Sequence, residues 1–186
     1  MEKKRKKESS GLFKVVIISL LFALFVRYFV FSPIIVDGPS MQPTLLDKDQ
    51  MIVNKLIYRF KEPERFDVVI FHATDEKDFI KRIIGLPGEH VQVKDNELYI
   101  NGNIMKQRFL DNQDPRSVVY PIVTNDFTLE NLPGNHEKIP EDFVLVLGDN
   151  RSNSTDSRSI GLVPIDEIIG KTNVIYWPLD RMQIIK

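Results

Sequence analysis

Residues 12–32 read "LFKVVIISLLFALFVRYFVFS", and nothing else in this chain limits its architecture so strongly. As a helix rising ~1.5 Å per residue, such a run spans ~30 Å, the thickness of a bilayer's hydrocarbon core. Lys14 and Arg27 fall near its two ends, where long side chains can carry their charge out to the headgroups. Tyr28 and the phenylalanines around it suit the outer interface. The preceding "MEKKRKKESS" has five positive and two negative residues. That bias predicts a cytoplasmic N-terminus and a chain that otherwise lies outside. Bulky residues surround Ala23 and no small-x-small site follows, so the run is expected to remain as an anchor rather than be removed as a secretory leader. The expected division is a basic cytoplasmic tail over 1–11, a transmembrane anchor over 12–32 and one extracytoplasmic domain over 33–186, with Pro33 marking the anchor's end.

Beyond the anchor the pattern is strand-like. "QMIVNKLIY" (50–58), "FDVVIFH" (66–72), "FIKRIIG" (79–85), "DFVLVLGDN" (142–150) and "TNVIYWPL" (172–179) are short, rich in β-branched and aromatic residues, and bounded by charges, Pro or Gly. "EHVQVKDNELYINGN" (89–103) predicts a hairpin turning near Lys94–Asn96, then a turn at Asn101–Gly102. "PIDEIIG" (164–170) fits one helical turn. The polar stretch 104–141 is patterned weakly and is expected to be a small lid or an elaborated loop. The class expected is mainly β with one N-terminal transmembrane α-helix.

Composition closes several routes. There is no cysteine, which excludes disulfides, thiolate zinc sites and thiol nucleophiles. His72, His90 and His136 are far apart in sequence, so no metal site is expected. A net charge of −1 implies no general affinity for nucleic acid. Oligomeric state is left open.

Three segments carry chemistry: "GPSMQPTL" (38–45), "FIKRIIGLPGE" (79–89) and "LGDNRSNSTDSRSIGLVP" (147–164). A serine hydroxyl is a poor nucleophile until a base takes its proton. A lysine serves as that base only when neutral, and its free pKa of ~10.4 leaves under roughly 0.1% neutral at pH 7. Burial can lower that value by ~3–5 units. In a strand, Phe79, Lys81 and Ile83 share one face while Arg82 takes the other. Lys81 can then be desolvated while Arg82 finds an acidic partner. Taken singly, each residue has a plainer reading: Ser40 a turn serine, Lys81 an edge-strand lysine, the 148–158 loop a set of weak surface pairs.

Together, in this order behind an anchor, the three segments resemble type I signal peptidase (leader peptidase), in the compact form common in Gram-positive bacteria. The resemblance runs from the anchor to about Pro164. It implies a signal-peptidase-like β fold and a Ser–Lys dyad with no catalytic histidine and no cofactor. Carried onto matching positions, Ser40 is the nucleophile, Lys81 the general base, and the Ser40 N–H an oxyanion donor. Gly38 stands where some members place a second, serine donor. Ser154 would orient the Lys81 amine, with Arg82 paired to Asp149 and Asp156 to Arg158. The implied substrates are signal peptides of exported preproteins, cut after small residues of the Ala-x-Ala type. They would lie extended along a strand. Ile34, Val36, Met41, Leu45, Phe79 and Ile80 are the residues expected to line the side-chain pockets, with plain core packing the competing reading. Apolar residues near 34–41 are expected to lie close to lipid.

Two other functions fit parts of the pattern. An inert anchored β domain binding peptides would need no Ser–Lys pair, and the three intact segments oppose it. Self-cleavage of the repressor type belongs to soluble DNA-binding chains, which the anchor and the lack of a basic recognition helix disfavour.

Overall fold

A computed structural model describes residues 2–74, 76–111, 116–117 and 121–185. Helix α1 runs over Glu2–Phe25 and passes into a π-helical turn, Val26–Val30. Its apolar part, Gly11–Val30, is 20 residues long with none of its most apolar stretch buried against protein. The twelve strands among the described residues are, in chain order, β1 (Phe31–Ile35), β2 (Gln50–Asn54), β3 (Val68–Thr74), β4 (Lys77–Gly85), β5 (Val91–Lys94), β6 (Glu97–Ile100), β7 (Asn103–Met105), β8 (Phe127–Thr128), β9 (Phe143–Leu147), β10 (Val163–Pro164), β11 (Ile168–Trp177) and β12 (Gln183–Ile184). A second, four-residue helix, α2, covers Ser157–Ile160.

Eight strands form one antiparallel sheet in the order β1-β2-β11-β3-β4-β9-β10, with β12 added beside β11. The smaller sheet has the order β7-β6-β5-β8. Where the two sheets meet, Ile84, Val91, Leu98, Leu129, Leu145 and Leu147 pack into one buried cluster around Phe109. A second cluster unites Val36, Met41, Leu45, Met51, Val68 and Ile175 beneath the turn after β1. Burial of aliphatic side chains on this scale contributes roughly 1.5–3 kcal/mol each.

The expected strands form, with shifted ends. The first continues only to Asn54; the expected run to 58 ends in a 3₁₀ turn at Ile57–Arg59. The 89–103 hairpin turns at Asp95–Asn96, both at positive φ (51° and 66°), as a two-residue hairpin loop requires. "PIDEIIG" supplies a 3₁₀ turn at Ile165–Glu167 and then enters β11.

One expectation changes. The helix stops at Val30, because Phe31–Ile35 pair with Asn54–Gln50 as an edge strand. Pro33 sits inside that strand; an edge position tolerates its missing N–H. Among its described residues the segment 104–141 is mostly loop with short 3₁₀ turns, tied in where Asn103–Met105 pairs with β6, Phe127–Thr128 pairs with β5 and Phe109 enters the core. Its residues 112–115 and 118–120 lie outside the described ones.

Candidate active site

Ser40 sits on the tight turn that leaves β1. Several hydrogen bonds shape this turn. Val36 N–H donates to Asp49 O (2.8 Å), Lys48 N–H to Val36 O (2.9 Å) and Gln42 N–H to Pro39 O (3.0 Å). Gly38 adopts φ +90°, which favours glycine, and its N–H donates to Asp47 Oδ1 at 2.9 Å. A Cβ at Gly38 would meet nothing within 4 Å, so backbone angle rather than space selects this residue.

Lys81 reaches the turn from β4. Its Nζ stands 2.9 Å from Ser40 Oγ and 2.9 Å from Ile80 O. The ring of Phe79 lies beneath the amine, 4.9 Å from Nζ to the centroid. Phe79 and Ile83 pack in one cluster on that face, and Arg82 points the other way, as alternation requires. Lys81 is only 3% exposed. Burial pushes its pKa down from 10.5 to about 8, while Asp156 and Asp149 pull it partly back up. About a tenth of the amines are then neutral at pH 7. The pair sets a hydroxyl and a buried amine in hydrogen-bond reach, in the protonation range where a lysine can accept a proton.

Behind Lys81 lies a fully buried ion pair. Arg82 Nε donates to Asp149 Oδ1 at 3.0 Å and Nη2 to Asp149 Oδ2 at 2.8 Å. Thr44 Oγ1 donates to the same Oδ2 at 2.5 Å, so this carboxylate also ties down the Ser40 turn. The Arg82 guanidinium stacks on Phe109 at 4.0 Å, and Arg151 approaches the same ring at 6.0 Å. Arg151 Nη1 further donates to Thr124 Oγ1 at 3.1 Å. Burial lowers the Arg151 pKa to about 10, partly offset by Asp149. The polar segment 104–141 thus backs the site through Phe109 and Thr124.

Asp156 and Arg158 form the second expected pair: Nη2 to Oδ2 is 2.8 Å and Nε to Oδ1 is 2.8 Å. Asp156 also caps α2 and accepts the Gly148 N–H at 3.0 Å. Gly148 leaves room for its neighbours; a Cβ there would lie 2.2 Å from Ser154 Oγ and 2.5 Å from Ser40 O. The Ser154 hydroxyl is enclosed and has no hydrogen-bond partner among the described residues, Lys81 included.

A cleft of about 540 Å³ opens over Ser40 and Lys81. Ile34, Val36, Met41, Phe79 and Ile80, all named from sequence as pocket candidates, line it. Leu45 does not: it is fully buried in the cluster beneath the turn, where it holds the Met41 side of the loop in place. Ile70, Asp78, Asn153 and Thr155 also line the cleft and were not anticipated. Ile70 and Asp78, in and beside expected strands, were within reach of the strand pattern. Asn153 and Thr155 depend on how the 148–158 loop folds back.

The matched family model is "Signal peptidase, peptidase S26", over residues 9–177. Signal peptidase I of Bacillus caldolyticus is 42% identical over 163 residues, covering 83% of this chain and 84% of that protein. Signal peptidase I T of Bacillus subtilis (strain 168) is 38% identical over 173 residues, covering 91% and 86%. Signal peptidase IB of Staphylococcus aureus (strain Mu50 / ATCC 700699) is 36% identical, covering 89% and 88%. A crystal structure of a signal peptidase I from Enterococcus faecalis V583 is similar with a TM-score of 0.50 at 37% identity, covering 60% of this chain and 97% of that one. Since the matched span takes in the Ser40 turn, the Lys81 strand and the 148–158 loop alike, the chain belongs to the signal peptidase family, peptidase S26, and is a serine endopeptidase.

Proposed function

We propose that this chain is a membrane-anchored type I signal peptidase that cuts exported preproteins through an acyl-enzyme on Ser40, with Lys81 as the base. The observation that carries this reading is the 2.9 Å separation of Ser40 Oγ and a 3% exposed Lys81 Nζ. Neutral Lys81 takes the hydroxyl proton as Oγ attacks the scissile carbonyl carbon. The tetrahedral oxyanion accepts a hydrogen bond from the Ser40 N–H. The C–N bond then breaks, and the Lys81 ammonium returns its proton to the leaving amine. A water, deprotonated by the same amine, attacks the ester carbon; the C–Oγ bond breaks and the Lys81 ammonium returns the proton to Ser40 Oγ. The family resemblance gives Ser154 the role of orienting the amine during the reaction; in this structure its enclosed hydroxyl makes no bond to Lys81.

The open edge of β4 supports an extended substrate. β3 pairs with β4 along Val68–Thr74, whereas β9 covers the other edge only at Arg82, Ile83 and Gly85. Among the described residues, Asp78–Ile80 therefore keep an unpaired edge beside the cleft. A substrate strand added there directs alternate side chains inward. The apolar lining by Ile34, Val36, Met41 and Ile80 supports uncharged, apolar side chains in the cleft. The exposed, apolar Gly11–Val30 helix supports anchoring, and the basic flank supports a cytoplasmic N-terminus.

The test uses the full chain in lipid vesicles with a preprotein bearing an Ala-x-Ala site. Ser40→Ala and Lys81→Ala are each expected to lose at least about a thousandfold in turnover while remaining folded. Substantial turnover by either variant would remove the dyad.

A further inference from the structure

Ser40 is flanked by two peptide units, and one residue holds both. The Asn150 side-chain Nδ2 donates to Pro39 O at 3.1 Å. The Asn150 backbone N–H donates to Ser40 O at 3.1 Å. Asn150 is 2% exposed, so these bonds form away from competing water.

The first contact bears on the reacting atoms. Pro39 C=O and Ser40 N–H belong to the same planar, trans peptide unit, so they point in opposite directions. Fixing one fixes the other. Gln42 N–H also donates to Pro39 O, at 3.0 Å, and Asn150 supplies the second bond on that oxygen. The Ser40 N–H itself donates to no group among the described residues. It is a donor kept in place and unspent. The second contact holds Ser40 O against Gly148, where a Cβ would stand 2.5 Å from it.

We infer that Asn150 is a positioning residue for oxyanion stabilisation: its carboxamide, by holding Pro39 O, aims the Ser40 N–H at the oxygen that becomes negative in the transition state. This rests on the acyl-transfer reading of Ser40. Direction matters more here than in a site with two donors, because Gly38 contributes no hydroxyl. An oxyanion donor works only within a narrow distance from the charge it meets, about 2.7–3.1 Å. Asn150 also follows Asp149, which holds Arg82 beside Lys81. Two adjacent residues thus register the nucleophile's donor and the base's strand against each other.

The test compares wild type, Ser40→Ala, Asn150→Ala and Asn150→Leu, as full chains in vesicles, on an Ala-x-Ala preprotein. Both Asn150 variants keep the backbone N–H; leucine also keeps the volume. The expected result is a tenfold to hundredfold fall in kcat for both (roughly, scaled down from loss of a whole donor). KM should stay within about twofold and the pH limb should not move. A peptide boronate, which forms a tetrahedral adduct on a serine oxygen, should bind more weakly by the same factor as kcat/KM falls. Turnover within about threefold of wild type in both variants overturns the assignment. So does recovery by leucine alone, a displaced pH limb, or unchanged boronate affinity. Loss of the cooperative melt in both variants would make Asn150 merely structural. If Ser40→Ala cuts as fast as wild type, the Ser40 reading itself fails; if it is inert while the Asn150 variants are active, only the Asn150 assignment falls.

Discussion

The Lys81 amine meets the Ser40 hydroxyl across 41 positions of sequence, at 2.9 Å, inside a wall built from Phe79 and Ile80. Burial lowers the amine's pKa to about 8, so the neutral, proton-accepting form grows as pH rises. Preprotein cleavage should climb along a single limb centred about pH 8. A limb near 10.5 or a flat profile, measured as kcat/KM from pH 5 to 10, would mean that Lys81 is not a desolvated base.

The same burial costs stability. Lowering the pKa from 10.5 to about 8 corresponds to ~3 kcal/mol against the charged form. Between these values the unfolded chain binds more protons than the folded one, so the wild type gains stability as pH rises through that window. Lys81→Met should therefore be inactive yet more stable, by up to about 3 kcal/mol at pH 7. Its advantage should vanish by about pH 10.5, as thermal melts at several pH values would reveal.

Arg82 and Asp149 are both fully buried, so removing one strands the other's charge. Asp149→Ala or Arg82→Ala should cost about 3–5 kcal/mol in denaturant unfolding. Arg82→Lys keeps the charge but loses the fork on Asp149 and the stacking on Phe109, and should fall between these variants and the wild type.

Gly148→Ala drives a methyl to 2.2 Å from Ser154 Oγ and 2.5 Å from Ser40 O. Turnover should drop about a hundredfold or more, since small displacements of reacting groups have costs of that order. The double variant Gly148→Ala/Ser154→Gly removes only the first clash, so the Ser40 carbonyl remains displaced and activity should recover only in part. Full recovery would show that Ser154 alone transmits the effect.

Ser154→Ala deletes a hydroxyl with no partner among the described residues. An unpaired buried hydroxyl carries a desolvation cost, so the melt should hold or rise by about 1 kcal/mol in stability. Cleavage should nevertheless fall if the hydroxyl orients the amine during the reaction. Unchanged kinetics would leave it as wall packing.

How much of this was legible before folding depends on the range over which each residue acts. Alternation in "FIKRIIG" separates Lys81 from Arg82 locally, so both their faces and the need for an acidic partner could be read. The pairings to Asp149 and Asp156, and Ser40 itself, came through family resemblance rather than through pattern. Pro33 looks like a stop because its effect on a helix is local; the pairing of β1 with β2 that overrides this is not. Leu45 was indistinguishable from Met41 by type; only the direction of the turn sends one beneath the cleft and the other to its wall. Asn150, Thr44, Phe109 and Thr124 act through long-range contacts, and no spacing in the chain announces them.

The π-turn ends at Val30 and β1 starts at Phe31, with no loop between, while Lys55 N–H donates to Val30 O at 3.0 Å. For an enzyme anchored by this helix, the join is a stiff post rather than a tether. Ser40 would then work at one set height above the lipid, like a blade on a fixed gauge. A target bond held too close to the bilayer, or too far from it, would go uncut even with the right residues around it.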